Sequence, residues 1–207
     1  MTAYRFLAAA LGWCALGLQY WLMMHADAPT DPLNRTINFF SFFTILTNIL
    51  AAAAMTAPVF APNTSAGRYF DRPSVRTAIA TYIIVVGVTY HLLLRDLWDP
   101  QGWQKFADYA LHYATPALFV LDWLAFVPKR EVSWSTAFKA LVYPLIYLGW
   151  TLYHGSWSGF YPYPFVDVTK LGINQVLMNS GGMTAAFLVL CGLLIGLGKI
   201  LSTVSGK

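Results

Sequence analysis

Residues 173–201 read INQVLMNSGGMTAAFLVLCGLLIGLGKIL, and Lys199 is the one charged side chain in the run. A helix crosses the hydrocarbon core of a bilayer with about 20 apolar residues, so this stretch is long enough to span. Working back toward the N-terminus, five more apolar runs cover about 4–24, 37–60, 75–94, 108–127 and 136–154. Pro, Gly and charge clusters separate them, as at Pro62–Pro73, Pro128–Glu131 and Gly159–Pro164. The runs have helical lengths rather than the short alternation of membrane strands. Backbone groups in hydrocarbon must be satisfied within their own segment, so each run is expected to be a helix.

Composition agrees. Of 207 residues, 57% are hydrophobic and only 11% charged, against about 25% charged in soluble domains. That excludes a disordered chain. The formal charge of +4, from 13 basic and 9 acidic residues, is too sparse for a nucleic-acid-binding stripe. The expectation is an all-α polytopic membrane protein, one six-helix transmembrane domain filling residues 1–207. Ala26-Asp27-Ala28 resembles a signal-cleavage site, but the apolar run before it exceeds a signal peptide's 7–15 residues. It is read as the first span. Pro58, Pro116 and Pro144 are each expected to bend a helix. Cys14 and Cys191 sit in apolar runs without metal or disulfide spacing and are read as buried, inert thiols.

Positive charge sets the orientation. With both termini cytoplasmic, the inner segments hold Arg5, Arg68, Arg72, Arg76, Lys129, Arg130, Lys139, Lys199 and Lys207, and the outer ones Arg35, Arg95, Lys105 and Lys170, nine against four. His25, His91, His112 and His154 then all fall near the outer surface, where ionisable groups in spans tend to face the bundle interior. In the second run Thr44, Thr47 and Asn48 are spaced to share one helical face. Counted from Asn38, Thr44 lies roughly 9 Å down, at 1.5 Å per residue, a depth comparable with His112. A hydroxyl beside an imidazole is a nucleophile with its base. Asp108, four residues before His112, is placed to orient the ring, or else compensates a helix dipole. Thr47, Asn48, His91 and His154 are candidate cavity-lining residues. No metal site, nucleophile elbow or P-loop occurs.

Phe42-Phe43-Thr44-Ile45, His112 with Pro116 and Asp122 downstream, and Gly159 through Tyr163-Pro164-Phe165 together resemble the androgen-induced and androgen-dependent family of small membrane hydrolases, including its bacterial six-span members. The resemblance implies a threonine hydrolase that cleaves fatty acid esters of hydroxy fatty acids, with Thr44 as nucleophile and His112 as base. It implies no cofactor, a lipid substrate entering from the bilayer, and residence in a bacterial cytoplasmic membrane. Asp122 falls toward the inner end, too far away to join a triad.

Trp98, Trp103, Trp157, Phe160, Tyr161 and Tyr163 are read as an interfacial belt or as the roof of a lipid cavity. Gly192 and Gly196 form a small-xxx-small pair for close helix contact. Asn174, Gln175 and Asn179 serve capping and interfacial bonding, with an oxyanion donor among them as the sharper alternative. Two other functions compete with hydrolysis: a haem held by two of the histidines, and a lipid-binding or transport protein without chemistry. A visible spectrum separates the haem reading from the rest.

Overall fold

The computed structural model describes residues 1–27 and 30–204, so Ala28 of the cleavage-like tripeptide and Lys207 of the inner charges lie outside the described residues. Among the described residues the chain is all-helical, without a strand. Helix α1 covers Thr2–Met24, α2 Pro32–Phe40, α3 Phe43–Phe60, α4 Ser65–Phe70 and α5 Pro73–Thr89. A π-helical turn, Tyr90–Leu94, and a 3-10 turn, Arg95–Leu97, prolong α5. Helices α6 (Gly102–Tyr109) and α7 (Thr115–Phe126) are joined by a second π turn, Ala110–Ala114. Then come α8 (Ser135–Lys139), α9 (Val142–Ser158) and α10 (Val168–Val204). Four of these stretches are long and apolar enough to cross a membrane: Thr2–Met24, Phe43–Phe60, Pro73–Leu97 and Val168–Thr203.

The structure corrects several run boundaries. The 37–60 run is two helices, broken at Ser41 and Phe42. Asp31 starts the first by accepting the N–H groups of Leu33 and Asn34 at 3.0 and 3.1 Å, and Pro32 needs no partner at the first position. These bonds hold the Asp31 carboxyl below its ordinary range. The 108–127 run begins six residues earlier, at Gly102. Only Pro58 lies inside a helix, near its end. Pro144 stands in the first turn of α9, and Pro116 follows the second π turn. Gly172, at φ +74°, puts a kink near the start of α10, so the straight helix matches the expected 173–201. Cys191 is buried, but Cys14 is exposed on α1.

Small side chains draw α1 and α3 together: Ala8, Gly12 and Ala15 face Ala51 and Ala52, the close backbone approach that membrane helix pairs use. Phe119 and Trp123 of α7 and Phe187, Cys191 and Ile195 of α10 complete the core around α5. The outward faces stay apolar, with Leu7, Trp21, Ile146, Met178, Val189 and Ile200 exposed, a surface suited to lipid rather than water. A Cβ at Gly196 would meet the Trp134 ring at 3.7 Å, whereas one at Gly192 would meet no other helix or side chain among the described residues within 4 Å. At the end of the bundle away from His112, Asp122 is fully buried. Arg5 Nε donates to its Oδ1 at 2.8 Å, and Arg76 donates to its Oδ2. Arg5 and Arg76, counted in the sequence among the charges of the inner segments, are therefore core residues.

Candidate active site

Thr44 is the second residue of α3, because the chain breaks just before it. The break is clasped by Ser41. Its hydroxyl donates to the Ile37 carbonyl at 2.8 Å and accepts the Trp150 indole N–H at 3.0 Å. Its carbonyl accepts the Tyr147 hydroxyl at 2.9 Å. His154 Nδ1 lies 3.2 Å from the same hydroxyl. Since that hydroxyl's proton goes to Ile37, Nδ1 must donate to it. Ser41 and His154 are thus a structural clasp with the wrong hydrogen-bond polarity for a nucleophile and base.

His112 is carried by the second π turn. The Thr115 N–H reaches back five residues to the Ala110 carbonyl. Pro116, with no N–H, leaves the Leu111 carbonyl without the partner that a continued π pattern would provide. Asn48 Nδ2 supplies the missing donor at 3.1 Å, and also donates to the Thr44 carbonyl at 2.9 Å. One buried amide therefore ties the Thr44 helix to the His112 turn. Gly87 lets α5 approach: a Cβ there would stand 3.0 Å from the His112 carbonyl.

The side chains then form a directed chain. Thr44 Oγ1 is 3.4 Å from His112 Nε2. His112 Nδ1 faces two acceptors, the Asp108 carbonyl at 2.9 Å and its Oδ1 at 3.1 Å. In the neutral ring Nδ1 must therefore hold the proton, which leaves the Nε2 lone pair toward Thr44. Asp108 is 2% exposed, not a solvated helix-end carboxylate. Its Oδ2 accepts the Tyr90 hydroxyl, and the Tyr90 ring stacks on His112 with centroids 3.9 Å apart. On the far side of Thr44, the Tyr163 oxygen accepts the Thr44 N–H at 3.1 Å and lies 3.2 Å from Oγ1. Burial pushes the Tyr163 phenol above its ordinary value, so it stays a donor. With Thr44 donating to His112, Tyr163 donates to Thr44.

Thr44, Asp108 and His112 open onto a cavity of about 460 Å³ that Gln19, Gln104 and Trp98 also line. His112 keeps 15% of its side chain exposed. Thr47, Asn48, His91 and His154, expected to line a cavity, do not line this one. Thr47 Oγ1 bonds the Tyr143 hydroxyl at 2.9 Å. Asn48 and His154 hold elements together, as described above. His91 is exposed beside Tyr113 and Arg95. Asn179 Nδ2 donates to the Phe165 carbonyl and Gln175 Nε2 to Asn179, both at 2.9 Å, and none of Asn174, Gln175 and Asn179 lines this cavity. Tyr90 escaped the sequence reading. Tyr163 stands in the sequence within the resemblance motif and among the loop aromatics, with no role of its own. Of that group, Trp98, Trp103 and Trp157 are exposed.

Each histidine has its own partners, with His25 Nδ1 on the Trp21 carbonyl. Among the described residues no three His, Cys, Asp or Glu groups stand ready for a metal. Comparison with protein-family models, curated proteins and solved structures returns no match for this chain.

Proposed function

We propose that the protein is an intramembrane lipid-ester hydrolase with Thr44 as nucleophile and His112 as base. The observation that carries this reading is the relay from Tyr163 through Thr44 and His112 to a buried Asp108, opening on a cavity. Thr44 Oγ attacks the ester carbonyl carbon while His112 Nε2 takes its proton. The oxyanion then accepts a hydrogen bond from the Tyr163 hydroxyl at the start of α3, where the helix dipole also favours negative charge. As the intermediate collapses, Nε2–H returns its proton to the leaving alkoxide. Water attacks the threonyl ester with His112 again as base, and the fatty acid leaves with Thr44 restored. Asp108 and Tyr90 hold the imidazole in the required tautomer. No cofactor enters the scheme.

The remaining parts of the reading concern the membrane and the substrate. The chain crosses six times, with 102–126 and α9 as the two crossings beyond the four long apolar helices. Both termini are cytoplasmic, and the Thr44 end of the bundle faces the outer leaflet of a bacterial cytoplasmic membrane. The family resemblance adds fatty acid esters of hydroxy fatty acids as substrates drawn from the bilayer. A fluorophosphonate lipid probe with intact-mass readout tests the chemistry. Wild type gains one adduct, mapped to Thr44. Thr44→Ala loses both adduct and ester hydrolysis at near-normal folded yield, whereas Thr44→Ser keeps part of each. Undiminished labelling of Thr44→Ala, with the adduct on Ser41 or Thr47, overturns the assignment.

A further inference from the structure

Thr44 stands between two cavities of unlike chemistry. The one already described holds Asp108, His112 and two glutamines. The other is a crevice of about 80 Å³ between α5, α9 and α10, and it shares Thr44, Leu94 and Tyr163 with the first. Val85, Val86, Leu148, Met183 and Phe187 line it, with no charged residue, and Leu145 at its rim is 49% exposed on the apolar outer face of α9. Three of its hydroxyls are turned to backbone: Ser180 to Val176, Thr184 to Ser180 and Tyr147 to Ser41. The crevice can hold more than the single water that needs about 10–15 Å³, but offers a polar head group few open partners.

We propose that this crevice holds the acyl chain of the ester, and that the alcohol portion lies in the His112 cavity. The assignment rests on the hydrolase reading and follows from proton transfer. His112 must deliver its proton to the leaving alkoxide, and His112 lines only the larger cavity. The carbonyl at Thr44 then directs its other substituent, the acyl chain, to the opposite side, where the crevice begins. A narrow apolar slot suits an unbranched chain and excludes a ring or head group. The enzyme is accordingly selective for acyl length and permissive toward the alcohol.

The test uses two isomeric esters, ethyl dodecanoate and dodecyl acetate, with the full chain in nanodiscs. Met183→Trp fills the crevice, and Met183→Phe serves if Trp does not fold. The expected result is that kcat/KM for ethyl dodecanoate falls by about tenfold or more relative to dodecyl acetate, the weight of one or two methylenes in an apolar pocket. Equal losses on both isomers, or a larger loss on dodecyl acetate, overturn the proposal. A diazirine-bearing dodecanoic acid gives a readout that needs no turnover: adducts are expected on α5, α9 or α10 residues of the crevice. Adducts on Phe39, Leu111 or Trp98 instead place the chain in the wrong cavity. Crevice adducts on a protein that cleaves no ester sink the hydrolase reading and leave a fatty-acyl binding site.

Discussion

The polarity of single hydrogen bonds separates the two hydroxyl–imidazole pairs. At Ser41 the imidazole donates, because the hydroxyl proton already has a carbonyl acceptor. At Thr44 the imidazole accepts, because both acceptors beside Nδ1 belong to Asp108. Two substitutions weigh that logic. His112→Ala removes the base, and hydrolysis should fall by about 10²–10⁴-fold at every pH. Asp108→Asn leaves the Asp108 backbone carbonyl in place, so Nδ1 keeps one acceptor. The loss should be smaller, about 10- to 100-fold in kcat, since part of the general-base contribution survives. Steady-state rates on one ester compare the three proteins. Near-normal turnover in His112→Ala removes the catalytic assignment altogether.

Elements bring these residues together through irregular backbone. Thr44 gains its position from a helix break and His112 from a π turn, the kind of local widening that recurs at functional sites. Asn48 joins the two. Asn48→Leu keeps the volume but orphans the Leu111 carbonyl. It should cost about 1–3 kcal/mol in thermal stability and lower kcat more than it raises KM. Loss of stability without any change in kcat would confine Asn48 to the scaffold. The turn before α10 makes a separate prediction. Asp167 Oδ1 accepts the Thr169 and Lys170 N–H groups at 3.0 and 3.3 Å, and bonds with Thr169 and Lys170 hold its carboxyl below the ordinary carboxylate pKa. A depressed carboxyl stabilises the fold above its unfolded value and loses that contribution as pH falls through the folded value. Wild type should therefore lose stability below about pH 4, and Asp167→Asn should flatten that limb in pH-dependent melting. Apolar spacing made the helical runs legible, and the Thr44–His112 pairing could be read from depth. The break at Ser41–Phe42 was hidden because apolar residues flank it on both sides. Tyr163 meets Thr44 across 119 positions of chain, and Asp108 is buried by a helix that starts earlier than its run. Local pattern carries none of that.

At the scale of the molecule, polar groups divide between the two ends of the bundle. One end holds the relay. The other holds Asp122 between Arg5 and Arg76, with Arg5 also 3.4 Å from Asp71. Removing a partner from such a buried pair costs about 3–5 kcal/mol, so this cluster fixes α1, α5 and α7 at the end opposite the relay. Its burial bears on orientation. Without the buried Arg5, Arg76 and Lys129, the basic count falls from nine against four to six against four. The positive-inside bias acts on loops during insertion, before any of these side chains is buried, so the full sequence count still applies. The expected orientation puts Asp99 outside and Arg130 inside, and both are exposed. Cys14 is replaced by Ala to clear the exposed background thiol, and the buried Cys191 is kept. In intact spheroplasts an impermeant maleimide should label Asp99→Cys directly, and Arg130→Cys only after permeabilisation. The reverse pattern would turn the Thr44 cavity toward the cytoplasm, and the proposed lipid esters would then have to enter from the inner leaflet.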